Sequence, residues 1–283
     1  MKLATLITVY KQPYLIKRLL TAMHHENFHF YLHIDKKADI KQYLNLQELP
    51  NVFIIKKRLD IKWAAYSMVE ALLAGMEEIL SSGVQYDFIN HMSGQCYPIK
   101  TPGHIYQYLE QHRENNFLSC EAQPNAWWED ARYRFERYHF PDSAFKGSHR
   151  MAQIATYIMP KRKLPFDFTM YGSDLGAYWI LNKEAAKYVV GYMKNHPQVE
   201  DFFRKTWGPD EFLFNTIIMN SAFKGTVINN NFRYIDWSGG ESHPKILTSE
   251  DYPELTISNC FFARKFDLTV DSAILDKIDS ELL

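Results

Sequence analysis

The chain has 283 residues, of which 46% are hydrophobic and 15% aromatic, enough to bury a sizeable core. Its 32 basic and 33 acidic residues leave a formal net charge of −1. That balance excludes broad electrostatic binding of nucleic acid and leaves room for local basic clusters that hold a small anion. Cys96, Cys120 and Cys260 show neither metal-ligand spacing nor a disulfide framework, and read as reduced thiols in a cytosol. The apolar run at the N-terminus is too short for the core of a signal peptide, and no later segment has the length of a membrane span. The expectation is a soluble protein, one still able to work against a membrane surface.

Leu3–Val9 reads as a buried strand, followed by a helix over 14–23 with Leu15, Leu19, Leu20 and Met23 on one face. Phe28–Ile34 reads as a second strand and 52–55 as a short third. Residues 67–80 carry Met68, Leu72, Leu73, Met76 and Ile79 at helical spacing, and 86–92 is another apolar strand. Strands alternating with helices imply a parallel sheet with right-handed crossovers, an α/β fold. Such sheets bind ligands at the carboxyl ends of their strands, where Val9, Tyr10, Asp35, Ser93 and Gly94 stand.

The second half is less regular. Trp127, Trp128 and the run from Arg132 to Tyr138 make a dense aromatic and basic segment. It fits a solvated helix face and equally fits contacts to sugar or phosphate. A strand over 176–181 and a helix over 183–194 follow, and a further strand is expected over 226–228. Gly239 and Gly240 open a loop running through His243, Pro244 and Lys245, and the tail carries Arg264, Lys265 and Asp267. No repeat, linker or low-complexity stretch interrupts the chain. One domain over 1–283 is expected, with a nucleotide-sugar half over 1–105 and an acceptor and catalytic half over 106–283.

The run from Trp207 to Phe214 organises this half. Pro209 suits a first helical turn, and Asp210 and Glu211 fall where the helix dipole favours carboxylates. The apolar residues that follow anchor the helix in a core, so an acid is held at the lip of a cavity, as a general base requires. The same pattern describes an ordinary acidic helix start, and these residues alone leave both readings open. Elsewhere the chain has no Gly-x-Gly-x-x-Gly after its first strand, no Walker loop and no Gly-x-Ser-x-Gly elbow. No histidine pair has zinc spacing, and no Asp-x-Asp triplet closes an N-terminal strand to hold a divalent ion on a diphosphate. What remains is Glu211 with two basic points, Lys245 and Arg264-Lys265. Held in place, such cations can meet the charge of a departing nucleoside diphosphate where a metal otherwise would.

Several segments, in order, resemble the core-2/I-branching β-1,6-N-acetylglucosaminyltransferases, the family that includes the peptide O-xylosyltransferases. They are the first strand with Val9, residues 33–37, 63–70, 88–101, 176–181, Pro209-Asp210-Glu211, His243-Pro244-Lys245 and 263–267. The resemblance implies a GT-A-like fold: a mostly parallel, Rossmann-like nucleotide-binding sheet flanked by helices. It implies inverting transfer from a UDP-sugar co-substrate, with no cofactor or bound metal. On it, Glu211 matches the catalytic base, Lys245 and Lys265 the cations on the diphosphate, with Arg264 beside them, and Val9 and Asp35 the uridine contacts. Tyr234 and Trp237 fall near the aromatics that flank the acceptor sugar, and Arg134 and Arg137 lie where acceptor-binding charges occur.

The chain departs from the family pattern at Cys96, which stands where an acid is usual, and at Lys245, which replaces an arginine with a point charge. It also lacks the anchor, stem and disulfide cysteines of secretory-pathway members. The expectation is therefore a bacterial cytoplasmic enzyme that builds a surface glycan, compatible with peripheral contact with the inner membrane surface. The donor expected first is UDP-N-acetylglucosamine, with UDP-xylose second, and the acceptor is a glycan or lipid-linked saccharide. The alternative is a non-catalytic module that binds sugar nucleotides or glycans. A nicotinamide-dependent oxidoreductase is set aside by the missing glycine fingerprint.

Overall fold

The computed structural model describes residues 1–142, 154, 156–165, 167–240 and 243–283. β1 (Leu3–Val9), β2 (Phe28–Ile34) and β4 (Phe88–Ser93) are buried along nearly their whole length, because helices cover both faces of the sheet they form. β3 (Val52–Ile54) shows the alternation of an edge, with Val52 buried and Phe53 40% exposed. After β4 come β5 (Cys96–Pro98), β6 (Asn116–Leu118), β7 (Ile180–Asn182), β8 (Val227–Asn229), β9 (Arg233–Ile235) and β10 (Phe262–Arg264). The main sheet has seven strands in the order β3-β2-β1-β4-β7-β6-β8, so it takes strands from both halves of the chain. β7 alone runs antiparallel to its neighbours β4 and β6; the other pairings are parallel. This is the mostly parallel α/β sheet that the strand–helix alternation implies.

The helices are α1 (Pro13–Ala22), α2 (Tyr66–Leu80), α3 (Pro102–Gln111), α4 (Ala126–Glu136), α5 (Lys183–Asn195), α6 (Pro197–Phe203), α7 (Leu213–Met219), α8 (Tyr252–Ile257) and α9 (Ala273–Glu281). Their starts are written locally. Thr101, Asn125 and Asn182 each accept a backbone N–H of the first turn at 3.2, 3.1 and 2.9 Å, capping α3, α4 and α5. α1 and α3 have proline in the first turn. One core joins α1, α3 and α9 to one face of the sheet, and a second joins α2, α4, α5 and α7 to the other.

A smaller sheet, β5-β10-β9, stands beside the carboxyl ends of the main strands. Arg233 in β9 ties the two sheets together: its Nη2 donates to Asn90 Oδ1 at 2.5 Å and to the His91 carbonyl at 3.0 Å, both in β4. Its guanidinium is fully enclosed and lies 4.3 Å from the Phe262 ring centroid. Burial pushes its pKa down to about 10, far enough above neutrality to keep it charged.

Two expected elements differ. The strand expected over 176–181 begins only at Ile180, because Gly176 enters as a turn packed under the Glu211 carbonyl; a Cβ there would lie 2.4 Å from that oxygen. The helix expected from Pro209 onward is divided. Pro209–Glu211 is a 3₁₀ turn closed by Glu211 N–H to the Gly208 carbonyl at 3.1 Å, Phe212 leaves helical geometry at φ −120°, and α7 follows. Residues 241–242 of the expected Gly239–Lys245 loop lie outside the described residues.

The apolar face of α2 carries much of the second core. Leu72→Ala at its fully buried centre is expected to lower the unfolding free energy by about 2–5 kcal/mol, read from urea denaturation.

Candidate active site

The carboxyl ends of β1, β2 and β4 open into a cavity of about 580 Å³. Val9 and Asp35 line it, as do Ser93 and Gln95, where a parallel sheet presents its ligand site. Asp35 is 4% exposed. Its Oδ1 accepts the Lys37 N–H at 2.8 Å and its Oδ2 the Ile61 N–H at 3.3 Å, with Lys37 Nζ at 3.4 Å. The carboxylate is thus anchored by the loops that follow β2 and β3 and keeps lone pairs for a ligand hydroxyl. Tyr10 borders the cavity too, its hydroxyl donating to Gln95 Oε1 at 3.1 Å.

The opposite wall is the 3₁₀ turn with Asp210 and Glu211. Gly208 turns the chain into it with φ +60°, and its N–H is held by the Ala64 carbonyl at 2.9 Å. The Glu211 side chain lines the cavity and is 24% exposed, and Arg134 Nη1 sits 2.8 Å from its Oε2. Burial pushes the Glu211 carboxyl up to about 7; Arg134 pulls against that shift, while Asp210 and Asp174 add to it. Burial also raises Asp210 and Asp174 above the usual carboxylate range. A carboxyl that titrates near neutrality can take a proton and give it back.

Arg264 closes the cavity from the smaller sheet. Its Nη1 donates to Ser93 Oγ at 2.6 Å and to the Tyr178 hydroxyl, and the guanidinium lies 5.2 Å from the Tyr178 ring centroid. Among the described residues no carboxylate pairs with it. Cys96, opposite Arg264 in the β5–β10 ladder, is fully buried with its Sγ 3.4 Å from Ser93 Oγ. A thiol therefore stands where a carboxylate would cancel the arginine's charge. Lys265 follows at the cavity wall. His91 lines the same region, stacked on Tyr178 with ring centroids 5.4 Å apart. Burial lowers its pKa to about 3, so the ring is neutral; its Nδ1 meets the Ala177 carbonyl at 2.7 Å and its buried Nε2 has no hydrogen-bond partner among the described residues.

Seven of the residues singled out in the sequence therefore share one cavity: Val9, Asp35, Arg134, Glu211, Trp237, Arg264 and Lys265. Three do not reach its wall. Lys245 Nζ is held by Asp251 Oδ1 at 2.5 Å, with Asp236 at 3.9 Å. Tyr234, in the middle of β9, packs half-buried against the first core. Arg137 ends α4 and donates from Nη1 to the Met159 carbonyl at 3.3 Å. Conversely, Trp63 and Trp207 line the rim in an edge-to-face pair, centroids 5.1 Å apart, to which sequence reading attached no role. Trp63 lies in a segment that carries the family resemblance and Trp207 directly precedes the Gly208 turn, but nothing local says that they meet. Arg134 was placed on the acceptor side, and the structure pairs it with Glu211. No group of three or more metal-ligating side chains occurs among the described residues, nor any helix long and apolar enough to cross a membrane.

Comparison with known proteins identifies the family of this chain. It belongs to the Core-2/I-branching enzyme family, whose model matches residues 3–259. Human xylosyltransferase 2 is 27% identical over 94% of this chain, and a xylosyltransferase of Ciona intestinalis 24% identical over 94%. In both cases the match takes in 32% of the relative, so the chain spans about a third of their length. The Arabidopsis thaliana β-glucuronosyltransferase GlcAT14B is 27% identical over 95% of this chain and 63% of its own. Among solved structures, apo mouse xyloside xylosyltransferase 1 aligns over 93% of this chain and 97% of its own with a TM-score of 0.43 at 10% identity.

The raised Glu211 pKa has a consequence for stability. The carboxyl is easier to ionise in the unfolded chain, where it titrates near the ordinary value of about 4.3. Its protonated form therefore supports the fold fully below that value, and the support is lost as pH rises through about 7. The melting temperature of Glu211→Gln relative to wild type is expected to rise between pH 5 and pH 9. A gap that stays constant with pH would show that Glu211 titrates as an ordinary glutamate.

Proposed function

We propose that this chain is an inverting glycosyltransferase that moves a sugar from a UDP-sugar to a glycan hydroxyl without a bound metal ion. The observation that carries it is the Glu211 carboxylate, held by Arg134 on one wall of a cavity, with a guanidinium on the other wall that no carboxylate among the described residues neutralises. In the proposed reaction Glu211 takes the proton of the acceptor hydroxyl as its oxygen attacks the anomeric carbon from the face opposite UDP. The bond from that carbon to the phosphate oxygen breaks, and its electron pair leaves with the diphosphate. Arg264 and Lys265 meet that charge, each charge-assisted contact contributing roughly 1.5–3 kcal/mol. Lys245 can join them only by leaving Asp251. Val9 and Asp35 receive the uridine, and Trp237 and the Trp63–Trp207 pair offer ring faces to the acceptor.

The resemblance to branching enzymes favours N-acetylglucosamine as the transferred sugar. Two of the named relatives are xylosyltransferases and GlcAT14B adds glucuronate, so UDP-xylose is the donor to test first.

Purified protein incubated with each UDP-sugar is expected to release UDP with one of them, at a rate unchanged by excess EDTA. Glu211→Gln should keep UDP binding and lower transfer by about 10²-fold or more. Lys265→Ala should weaken UDP binding and transfer together. Activity lost in EDTA and restored by manganese would overturn the metal-free reading, and near-normal turnover of Glu211→Gln would move the base elsewhere.

A further inference from the structure

The side chain of Arg134 is held at several points before it meets Glu211. Its backbone carbonyl accepts the Trp207 N–H at 3.0 Å, and its Nε returns a bond to the Trp207 carbonyl at 3.3 Å. Nη2 lies 3.5 Å from the Gly208 carbonyl, and the guanidinium sits 4.9 Å from the Phe212 ring centroid. α4 is itself fixed, since Trp128, Ala131 and Phe135 are buried in the second core and the Trp128 indole donates to the Glu121 carbonyl at 3.1 Å. Gly208 completes the channel: a Cβ there would stand 2.2 Å from Nη2, so a larger residue would displace the tip of the guanidinium from its present position, and at φ +60° it would also strain the backbone. What emerges is Nη1 at 2.8 Å from Glu211 Oε2, while Oε1 accepts no hydrogen bond among the described residues.

We propose that Arg134 is a positioning residue for the base, holding one carboxylate oxygen of Glu211 so that the other faces the acceptor hydroxyl. The inference rests on the reading of Glu211 as general base. It differs from the acceptor-binding role that the sequence resemblance implies for Arg134, because a guanidinium committed to Glu211, Trp207 and Gly208 has little left to offer a sugar. Three charged groups face the Glu211 carboxyl: Arg134 from α4, Asp210 from its own turn and Asp174 from the segment before β7. Arg134 is the cation among them, opposing two acids and the loss of water. It therefore keeps Glu211 ionised at a pH where burial alone would protonate it. Glycine at 208 follows from the same requirement, giving the left-handed turn and the empty space through which the guanidinium passes.

The test compares wild type with Arg134→Gln, Arg134→Lys and Gly208→Ala, each first shown folded by near-UV circular dichroism. Carbon-13 carboxyl NMR of the free protein, with Glu211→Gln for assignment, reads the Glu211 pKa without reference to activity. The pKa is expected to rise by about one unit or more in Arg134→Gln and in Gly208→Ala, and to stay near the wild-type value in Arg134→Lys. With the donor found for wild type, kcat of Arg134→Gln should fall about tenfold or more at pH 6.5 and recover toward wild type at pH 9. The acceptor KM should change less than about threefold, since no substrate contact is removed. An unmoved Glu211 pKa would overturn the proposal, as would a tenfold rise in acceptor KM with an unchanged pH profile. If wild type transfers no sugar, the titration still decides: a shift upholds the pairing and only the transfer reading falls, and no shift overturns the pairing.

Discussion

The Glu211 carboxylate is drawn largely out of water, and the surrounding structure exists in good part to offset that loss. A carboxylate on the cavity wall is useful only if it can ionise near neutrality, yet burial pushes it the other way. The compensation comes from a single arginine that reaches it past a glycine in left-handed geometry. The 3₁₀ turn, the break at Phe212 and the close packing of Gly176 beneath the Glu211 carbonyl all serve the same placement. Had the expected unbroken helix formed, the carboxylate and the guanidinium would not share this geometry.

Across the cavity the electrostatics run in the opposite sense. Arg264 and Arg233 are held by hydroxyls, an amide, carbonyls and aromatic faces rather than by carboxylates. Neutral partners orient a guanidinium without cancelling it, so Arg264, which lines the cavity, retains its charge toward it, while Arg233 stays buried between the sheets. Cys96 belongs to this scheme: the acid usual at its position would face Arg264 across the β5–β10 ladder, and the thiol does not. The smaller sheet thus acts as a positively charged wall beside the carboxyl ends of β1, β2 and β4, and Arg233 locks it to β4.

Much of the first half was legible because its signals are local. Continuous apolar runs at Leu3–Val9 and Phe28–Ile34 and helical spacing in 67–80 are set by residues near one another in sequence, and the observed elements follow them closely. The second half was less legible. The short strands β5, β6, β9 and β10 have three residues each, too few for a periodicity to show. Their existence depends on partners far away in the chain. Tyr234 and Lys245 show the limit at single residues: the resemblance gives both a place in the site, yet one packs half-buried against a core and the other is captured by Asp251.

By itself the sequence determined the order of the elements, the ends of the strands at which a ligand can sit, and the presence of an acid at Glu211 with basic residues later in the chain. These follow from composition, periodicity and turn chemistry, which act over a few residues. Tertiary structure alone decided which charges face each other. It brought Arg134 to Glu211 and left Arg264 without a carboxylate partner among the described residues. It also paired Trp63 with Trp207 at the cavity rim. The physical reason is that a carboxylate's protonation and a cation's free charge are properties of a whole enclosure, assembled from α4, the Gly208 turn and two sheets, and no one segment carries them.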